Sequence, residues 1–160
     1  MQYRNNGGGT ITDNVTGLIW SQNQSSDWMD WQEADTYCSN LTLGGYDDWR
    51  LPNVKELQSI VDYSGVFPAL DTIKFNISGI VNEAGNADFP YLWTSTSAGS
   101  DKVSGMYFAD YVAFGYAVDP NGNDIHGAGA VRFDTKVKDG PAPQNEECIN
   151  NYVRLVRNSN

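Results

Sequence analysis

The chain has 160 residues, of which 12% are aromatic, and a formal net charge of −10. A chain of this length forms one domain by size and buries about 68–70% of its unfolded surface, enough for a core without a structural metal. The acidic charge repels phosphate and disfavours nucleic acid as a partner. The chain contains no run of about 18 apolar residues, so no membrane insertion is expected. Half of the ten basic residues lie towards the C-terminus and leave a local basic face open: Arg132, Lys136, Lys138, Arg154 and Arg157.

The first predicted element is a short hairpin. Residues 1–9 are polar and rich in glycine, and we expect a loose lead-in there. Residues 10–12 and 18–20 predict strands. The turn between them, at residues 13–17, contains Asp, Asn and Gly, which accept the backbone conformations of a chain reversal.

A first helix is predicted after Asp30, a candidate N-cap with Glu33 at the third helical position. Its apolar residues recur at intervals of three and four, which predicts one inward face. These residues are Trp31, Ala34, Cys38 and Leu41. We therefore expect Cys38 to be buried.

The sequence DDWRLPNVKEL at residues 47–57, called the corner below, predicts an extended segment that leads into a second helix. Pro52 favours extended geometry in the residue before it. Asn53 and Glu56 have the spacing of a capping box, and helical periodicity then continues over residues 54–63. Trp49 and Arg50 are predicted to be structural, with the indole buried and the five-donor guanidinium joining nearby carbonyls and carboxylates.

The second half of the chain predicts strands and loops. Residues 64–90 carry scattered glycine and proline and predict a long loop. Strands are predicted at residues 91–97, within the alternating residues 106–118, at residues 130–135 and at residues 151–157. No internal repeat or second domain is evident, so the fold class is α+β.

Five motifs in order give the chain a family resemblance. DWRLPNVKEL at residues 48–57 resembles the signature of a bacterial secreted-domain family named for the C-terminal domain of the Legionella collagen-like adhesin. The other motifs are GTITDNVTGLIW at 9–20, WQEA at 31–34 with YC at 37–38, LWTSTS at 92–97 and YVRLVR at 152–157. The resemblance implies a C-type-lectin-like fold over residues 1–160, with two helices packed on irregular antiparallel sheets and long loops. It also implies binding outside the cell or at its surface, with the periplasm as an alternative location.

The resemblance further implies a disulfide between Cys38 and Cys148, because lectin-like folds commonly join a first-helix cysteine to the terminal strand. Two buried free thiols are the alternative.

Residues 119–130 partly match the pattern of a calcium loop, because oxygen-bearing residues alternate at its start. The pattern fails because Asp124 replaces the sharp-turn glycine and Ala130 replaces the bidentate glutamate. A hairpin turn around Asn121 and Gly122 is favoured instead. The calcium-dependent sugar-binding motifs of C-type lectins are also absent. No cofactor is expected, and weak calcium binding through other oxygens stays open.

Catalytic chemistry has little support in the sequence. His126 is the only histidine, and no nucleophile motif or zinc-ligand spacing accompanies it. We expect an exposed loop residue that could contact a ligand.

Residues 99–130 combine tyrosines with small polar residues, which is the composition of recognition loops. The predicted ligand-binding residues are Tyr107, Tyr111, Tyr116, Asp119, Asn121, Asn123, Asp124 and His126. The alternative is that these tyrosines simply cover the sheet.

The sequence thus favours a non-enzymatic extracellular adhesion module for a glycan or protein ligand. One alternative is a glycan-processing enzyme with two carboxylates across a cleft. Another is a structural cap of a fibrous surface protein, which would form a homo-oligomer such as a trimer.

Overall fold

The computed structural model describes residues 1–82, 84–98, 107–119, 121–136 and 150–159. These residues form two α-helices and nine β-strands, which confirms the α+β class. The helices are α1 (Trp31–Asn40) and α2 (Val54–Ser59). The strands are β1 (Tyr3–Gly7), β2 (Thr10–Asp13), β3 (Leu18–Ser21), β4 (Ile80–Val81), β5 (Ala87–Asp88), β6 (Tyr91–Ser97), β7 (Phe108–Ala113), β8 (Val131–Thr135) and β9 (Val156–Asn158).

The strands form three sheets, and all of their pairings are antiparallel. The first sheet has the order β1-β2-β3-β9, the second has the order β6-β7-β8, and β4 pairs with β5 in a small hairpin. The last strand of the chain therefore completes the sheet that the first three strands begin.

The core consists of two clusters on opposite faces of β6 and β7. Ala34 and Cys38 of α1 pack in one cluster with Trp93 and Tyr111. Leu57 of α2 packs in the other, where its neighbours include Leu92, Val112 and Phe114. Because side chains alternate along a strand, β6 and β7 supply residues to both clusters and are covered on both faces.

Residues 150–158, called the terminal segment below, join the two large sheets. The Tyr152 amide donates to the Tyr91 carbonyl at 2.9 Å, and the Trp93 amide donates to the Tyr152 carbonyl at 3.0 Å. Further along, Val156 and Arg50 exchange two backbone hydrogen bonds of 3.0 Å, while Val156 also pairs with β3. The terminal segment thus contacts the second sheet, the first sheet and the corner in succession.

Arg154 lies at the centre of the terminal segment and is 0% exposed. Its Nη1 atom donates to the carbonyls of Ser21 and Gln22 at 3.0 and 2.7 Å, and its Nη2 atom donates to the Asn76 carbonyl at 2.7 Å. The guanidinium also lies 5.3 Å from the ring centroid of Phe75. Burial lowers the pKa of Arg154 to about 9.

Two serines hold the terminal segment in the same way. Ser21 Oγ accepts the Leu155 amide at 3.0 Å and donates to the Asn23 carbonyl at 2.8 Å. Four residues later, Ser25 Oγ accepts the Val153 amide at 3.0 Å and donates to the carbonyl two residues on. Each buried hydroxyl satisfies a backbone donor that the sheet leaves unpaired.

Both capping boxes predicted from the sequence are confirmed. The Glu33 amide donates to Asp30 Oδ1 at 2.8 Å and the Asp30 amide donates to Glu33 Oε2 at 3.0 Å. In α2 the two equivalent bonds between Asn53 and Glu56 are both 2.8 Å. α2 ends at Ser59, earlier than the predicted residue 63.

The corner forms as its residues predict. Trp49 is 3% exposed, and its Nε1 atom donates to the carbonyls of Leu43 and Tyr46. Arg50 binds both oxygens of Glu56 at 2.8 Å, and its Nη2 atom donates to Asn158 Oδ1 at 2.8 Å. The predicted structural roles of Trp49, Arg50 and Glu56 therefore have their contacts in the fold.

The expected loose lead-in at residues 1–9 was wrong. Residues Tyr3–Gly7 form β1 and pair with β2, because Tyr3 is 9% exposed and its ring packs edge-on against Phe75 with centroids 5.0 Å apart. The repeated glycines lie at the end of β1 and in its turn, not throughout the segment.

Cys38 is buried on α1, as its helical face predicted, and its thiol is free in the structure. Burial, with a smaller contribution from the Asp35 carboxylate, raises the pKa of Cys38 to about 12. Cys148 lies outside the described residues. The Cys38–Cys148 disulfide therefore has no support from the structure and stays a prediction.

The local basic face does not form from the described basic residues near the C-terminus. Arg154 and Arg157 are 0% and 4% exposed. Arg157 binds the Asp48 carboxylate with its Nε and Nη2 atoms and lies 3.9 Å from the Tyr46 ring centroid. Lys136 donates to Ser97 Oγ and lies 4.4 Å from the Trp31 ring centroid. Arg132 donates to the Val118 carbonyl, and Lys138 lies outside the described residues.

Replacing Trp49 by alanine should lower the free energy of unfolding by about 3–5 kcal/mol, since it deletes a buried indole and leaves a cavity. The matched control is Trp28→Ala, because Trp28 is 57% exposed and its loss should cost little. Urea unfolding of both variants measures the difference. Equal stability of the two variants would contradict the structural role of Trp49.

Glu56 should make the stability of the corner depend on pH. Burial opposes ionisation, but the hydrogen bonds from Arg50 and from the Asn53 amide outweigh it and lower the pKa of Glu56 below its usual 4.5. A lowered folded-state pKa stabilises the fold above the unfolded-state pKa, and this stabilisation is lost as the pH falls through the folded-state pKa.

The variant Glu56→Gln should therefore cost about 1 kcal/mol at pH 7, a modest value because Arg50 is partly exposed. The difference from the unsubstituted protein should shrink as the pH falls below about 4. Urea unfolding over a pH series measures it. A difference that is the same at every pH would show that the Glu56 charge does not contribute.

Candidate functional site

Three loops meet beyond the C-terminal end of β7, and their described residues are together called the loop end: residues 62–68, 84–89, 115–119 and 121–129. The Ala69 amide donates to the Phe114 carbonyl at 2.8 Å, which brings the first loop to the end of β7. The Gly129 amide donates to the Ala113 carbonyl at 2.7 Å and returns the third loop to the same place. Backbone hydrogen bonds to β7 and its extension thus assemble this surface.

A half-exposed aromatic pair lies at the centre of the loop end. The rings of Phe67 and Tyr116 stack with centroids 4.7 Å apart and an interplanar angle of 27°. They are 42% and 40% exposed. Phe89 packs edge-on against Phe67 at 4.7 Å and supports the pair from one side.

Tyr63 extends the aromatic surface and is 64% exposed. It packs against the backbone of Gly129, where a Cβ atom would lie 2.6 Å from the Tyr63 ring. Gly129 also has a φ of +84°, which other residues rarely adopt. A glycine at this position therefore allows the tyrosine to lie against the third loop.

Asp88 joins the second and third loops and is 2% exposed. Its Oδ1 atom accepts the amides of Phe89 and Tyr116 at 2.7 and 2.9 Å, and its Oδ2 atom accepts Asn82 Nδ2 at 3.0 Å. A Cβ atom at Gly115 would collide with Asp88 Oδ1. The close approach of this carboxylate to the backbone positions Tyr116.

The turn at residues 119–127 is ordered by two aspartates. Asp119 Oδ1 accepts the amides of Asn121 and Asn123 at 2.9 Å, and the hydrogen bonds from Asn123 and Asn121 lower the pKa of Asp119. Asp124 Oδ1 accepts the amides of Ala117 and Gly127 at 3.0 and 2.9 Å. The Asp119 amide donates to the Asn123 carbonyl at 2.9 Å, so the predicted hairpin turn is confirmed.

Six of the eight predicted ligand-binding residues lie on the third loop of the loop end. These are Tyr116, Asp119, Asn121, Asn123, Asp124 and His126. Asn121, Asn123, Asp124 and His126 are exposed, and Asp119 is half-buried. Their role in binding a ligand stays a prediction.

Tyr111, one of the predicted ligand-binding tyrosines, is buried in the core and does not face a ligand. Tyr111 is 4% exposed and stacks on Tyr91 with ring centroids 5.3 Å apart. Tyr107 is half-buried at the opposite end of β7 from Tyr116. A six-residue strand spans about 20 Å, so Tyr107 does not share a small contact surface with Tyr116. The first part of the predicted region, residues 99–106, lies outside the described residues.

Sequence reasoning missed Phe67 and Tyr63. Both lie in or beside the long loop at residues 64–90, and exposed aromatic residues in a long loop were the available signal. Their proximity to Tyr116 depends on the contact between Ala69 and Phe114, which are far apart in the chain. Local patterns cannot predict such a pairing.

Within the part of the chain that the structure describes, no three His, Cys, Asp or Glu side chains come together as a metal site. A shallow groove along α1 contains one carboxylate, Glu33, which already accepts the Asp30 amide. This groove therefore lacks the facing pair of carboxylates that glycoside hydrolysis requires.

Neither of the two described helices is long and apolar enough to cross a membrane.

The family model described as Lcl C-terminal domain matches residues 9–157 of the chain. No curated protein and no solved structure matches the chain. The family resemblance of the five motifs is thereby confirmed over nearly the whole sequence. The C-type-lectin-like assignment has no structural neighbour to confirm it.

Asp88→Asn should lower the free energy of unfolding by about 1–3 kcal/mol, the cost of a buried unsatisfied polar group. Asparagine has one carbonyl oxygen. If this oxygen accepts the amides of Phe89 and Tyr116, the new side-chain nitrogen faces Asn82 Nδ2, so two donors meet. Asn82 Oδ1 cannot serve as the acceptor instead, because it already accepts two backbone amides of the β4–β5 turn.

Hydrogen exchange at the amides of Phe89 and Tyr116 should accelerate in Asp88→Asn, and urea unfolding gives the stability change. The control is Asp47→Asn, because Asp47 is exposed and its change should lie within about 0.5 kcal/mol. Unchanged exchange in Asp88→Asn would show that the carboxylate does not order the loop end.

Proposed function

The chain belongs to the family of Lcl C-terminal domains, and on that premise we propose that it is a non-enzymatic binding module of a surface or secreted adhesin-type protein. Its ligand-contacting surface is the loop end. The observation that carries this proposal is the half-exposed stack of Phe67 and Tyr116, which stands beside exposed amide and carboxylate groups.

Exposed aromatic rings outside the core are costly to leave in water, and clusters of them commonly mark interaction sites. In the loop end, Phe67, Tyr116 and Tyr63 are all more than one third exposed, although each has a neighbour that holds it in place. An aromatic ring that its neighbours already fix in position offers contact area with little loss of side-chain entropy on binding.

A hydroxyl-rich glycan suits this combination of groups. Aromatic faces pack against the apolar face of a sugar ring, and amides and carboxylates bond to its hydroxyls. Asn121 and Asn123 supply the amides, while Asp124 supplies a carboxylate with one oxygen that accepts two backbone amides. Because each polar contact displaces water, the affinity of a single site is modest.

A structural role is the second candidate. Val131 and Phe133 are 39% and 49% exposed on β8, which lies at an edge of the second sheet among the described strands. An apolar edge strand offers pairing to another chain. A fibrous surface protein could use that edge in a homo-oligomeric cap.

Binding of the purified domain to immobilised glycans and extracellular matrix proteins, with calcium and with chelator, tests the proposal. Once a ligand is found, Phe67→Ala and Tyr116→Ala should each weaken binding by about two- to tenfold, the value of an aromatic contact. Trp28→Ala is the control, because it removes an exposed aromatic side chain from another part of the surface. The two calcium conditions test the open question of weak calcium binding.

Normal binding by both Phe67→Ala and Tyr116→Ala, with intact thermal melts, would exclude the loop end as the contact surface. Light scattering of the same samples gives the solution mass. A trimeric mass together with no binding to any immobilised ligand would favour the structural cap.

A further inference from the structure

A polar pocket of about 460 Å³ lies away from the aromatic pair, between residues 23–26 and residues 76–79. Its volume falls within the range of about 300–1,000 Å³ that is usual for ligand sites. Its lining residues are Asn23, Gln24, Ser25, Ser26, Asn76, Ser78, Gly79 and Tyr152. None of these residues carries a charged side chain, although the chain has 20 acidic residues and a net charge of −10.

Buried contacts fix the two walls of this pocket relative to each other. Arg154 donates to the carbonyls of Gln22 and Asn76, both at 2.7 Å, and these residues precede or begin the two lining segments. The Asn76 amide also donates to the Gln22 carbonyl at 2.9 Å. The pocket is therefore formed by the fold before any ligand arrives, which reduces the entropy cost of binding.

Side-chain amides connect the walls above this buried layer. Asn76 Nδ2 donates to Asn23 Oδ1 at 2.7 Å, and the Ser78 amide donates to Gln24 Oε1 at 3.2 Å. Each contact uses one half of a side-chain amide. Among the described residues, Asn76 Oδ1, Asn23 Nδ2 and Gln24 Nε2 have no hydrogen-bond partner, so these lining residues have an acceptor and two donors left for a ligand.

We propose that this pocket binds a neutral, hydroxyl-rich ligand, such as one pyranose unit of a glycan. A sugar hydroxyl both donates and accepts, so it matches the mixed amide and hydroxyl lining. An ionised ligand finds no opposite charge among the lining side chains. The half-buried ring of Tyr152 supplies an apolar surface for the sugar face.

The proposal is independent of the loop end. The pocket shares no lining residue with the loop end, and Arg154 joins its two walls, although Gly79 of the pocket lies beside the backbone of Asp88. A domain with both surfaces would contact two units of one glycan or two separate ligands. An experiment can therefore exclude ligand binding at one surface without excluding it at the other.

The test is an NMR titration of the ¹⁵N-labelled protein with four neutral monosaccharides: glucose, galactose, mannose and N-acetylglucosamine. Glucuronic acid serves as the charged counterpart. At least one neutral sugar should shift amide signals of residues 23–26 and 76–79 in a saturable manner, with weaker effects from glucuronic acid.

Two variants should reduce this binding. Gln24→Ala removes the side-chain amide that would pair with a sugar hydroxyl and should weaken sugar binding by about two- to tenfold. Gly79→Leu should weaken it as well by placing a bulky side chain on a lining residue, and the backbone tolerates a side chain there because a Cβ at Gly79 meets only the Asp88 carbonyl oxygen, at 3.6 Å. The matched control is Gln2→Ala, an exposed glutamine elsewhere on the surface.

The proposal fails if no neutral sugar shifts these signals, or if Gln24→Ala binds as tightly as Gln2→Ala. It also fails if the shifts fall only on residues 63–67 and 116–126, a result that would support the loop end instead. Should Gly79→Leu not give a folded spectrum, Gln24→Ala decides the question alone.

Discussion

The fold depends on the terminal segment, which forms backbone hydrogen bonds with both large sheets. Within this segment, the Arg154 guanidinium donates to the carbonyls of Ser21, Gln22 and Asn76. No carboxylate pairs with Arg154 within the described residues, so its charge is stabilised by carbonyl dipoles and by the Phe75 ring. Of these three residues, Asn76 lines the polar pocket, and Ser21 and Gln22 directly precede the other lining segment. β7, next to the segment's partner β6, extends into the loop end. The buried Arg154 guanidinium thus links the stability of the fold with the position of the polar pocket.

Those parts of the fold that depend on neighbouring residues were predictable from the sequence. The two capping boxes involve residues three apart, and the local geometry of Asp30 and Asn53 is sufficient to specify them. β6 was predicted with its observed bounds because aromatic and hydroxyl residues fill it between two breaks. The corner was predictable because Pro52 constrains its neighbour and Trp49 has too much apolar surface to remain outside. Family membership followed from the order of such local motifs.

The remaining features depend on contacts between distant residues, which periodicity does not contain. Alternation along β7 indicated a strand, but it could not show that both faces are covered, so the prediction of Tyr111 as a ligand-binding residue missed its burial. β1 was missed because its pattern is polar, and only the contact of Tyr3 with Phe75 shows why it orders. The loop end was half predicted: the turn chemistry of Asp119 and Asn123 is local, whereas the Phe67–Tyr116 stack joins loops about 50 residues apart. The polar pocket had no local signal at all.

The measurement that tests the role of the terminal segment most directly is the free energy of unfolding of Arg154→Met, with Arg4→Met as the matched control at an exposed arginine. Replacing a buried charge by an apolar side chain can be neutral or stabilising when nothing else loses a partner. Here the carbonyls of Ser21 and Asn76 would lose the Arg154 donor, at about 1–3 kcal/mol each, while the Gln22 carbonyl would keep the Asn76 amide, and this loss outweighs the relief of burying a charge. We expect Arg154→Met to lose about 3–5 kcal/mol and Arg4→Met to stay within about 0.5 kcal/mol of the unsubstituted protein. An Arg154→Met variant as stable as Arg4→Met would contradict the central role of the buried guanidinium.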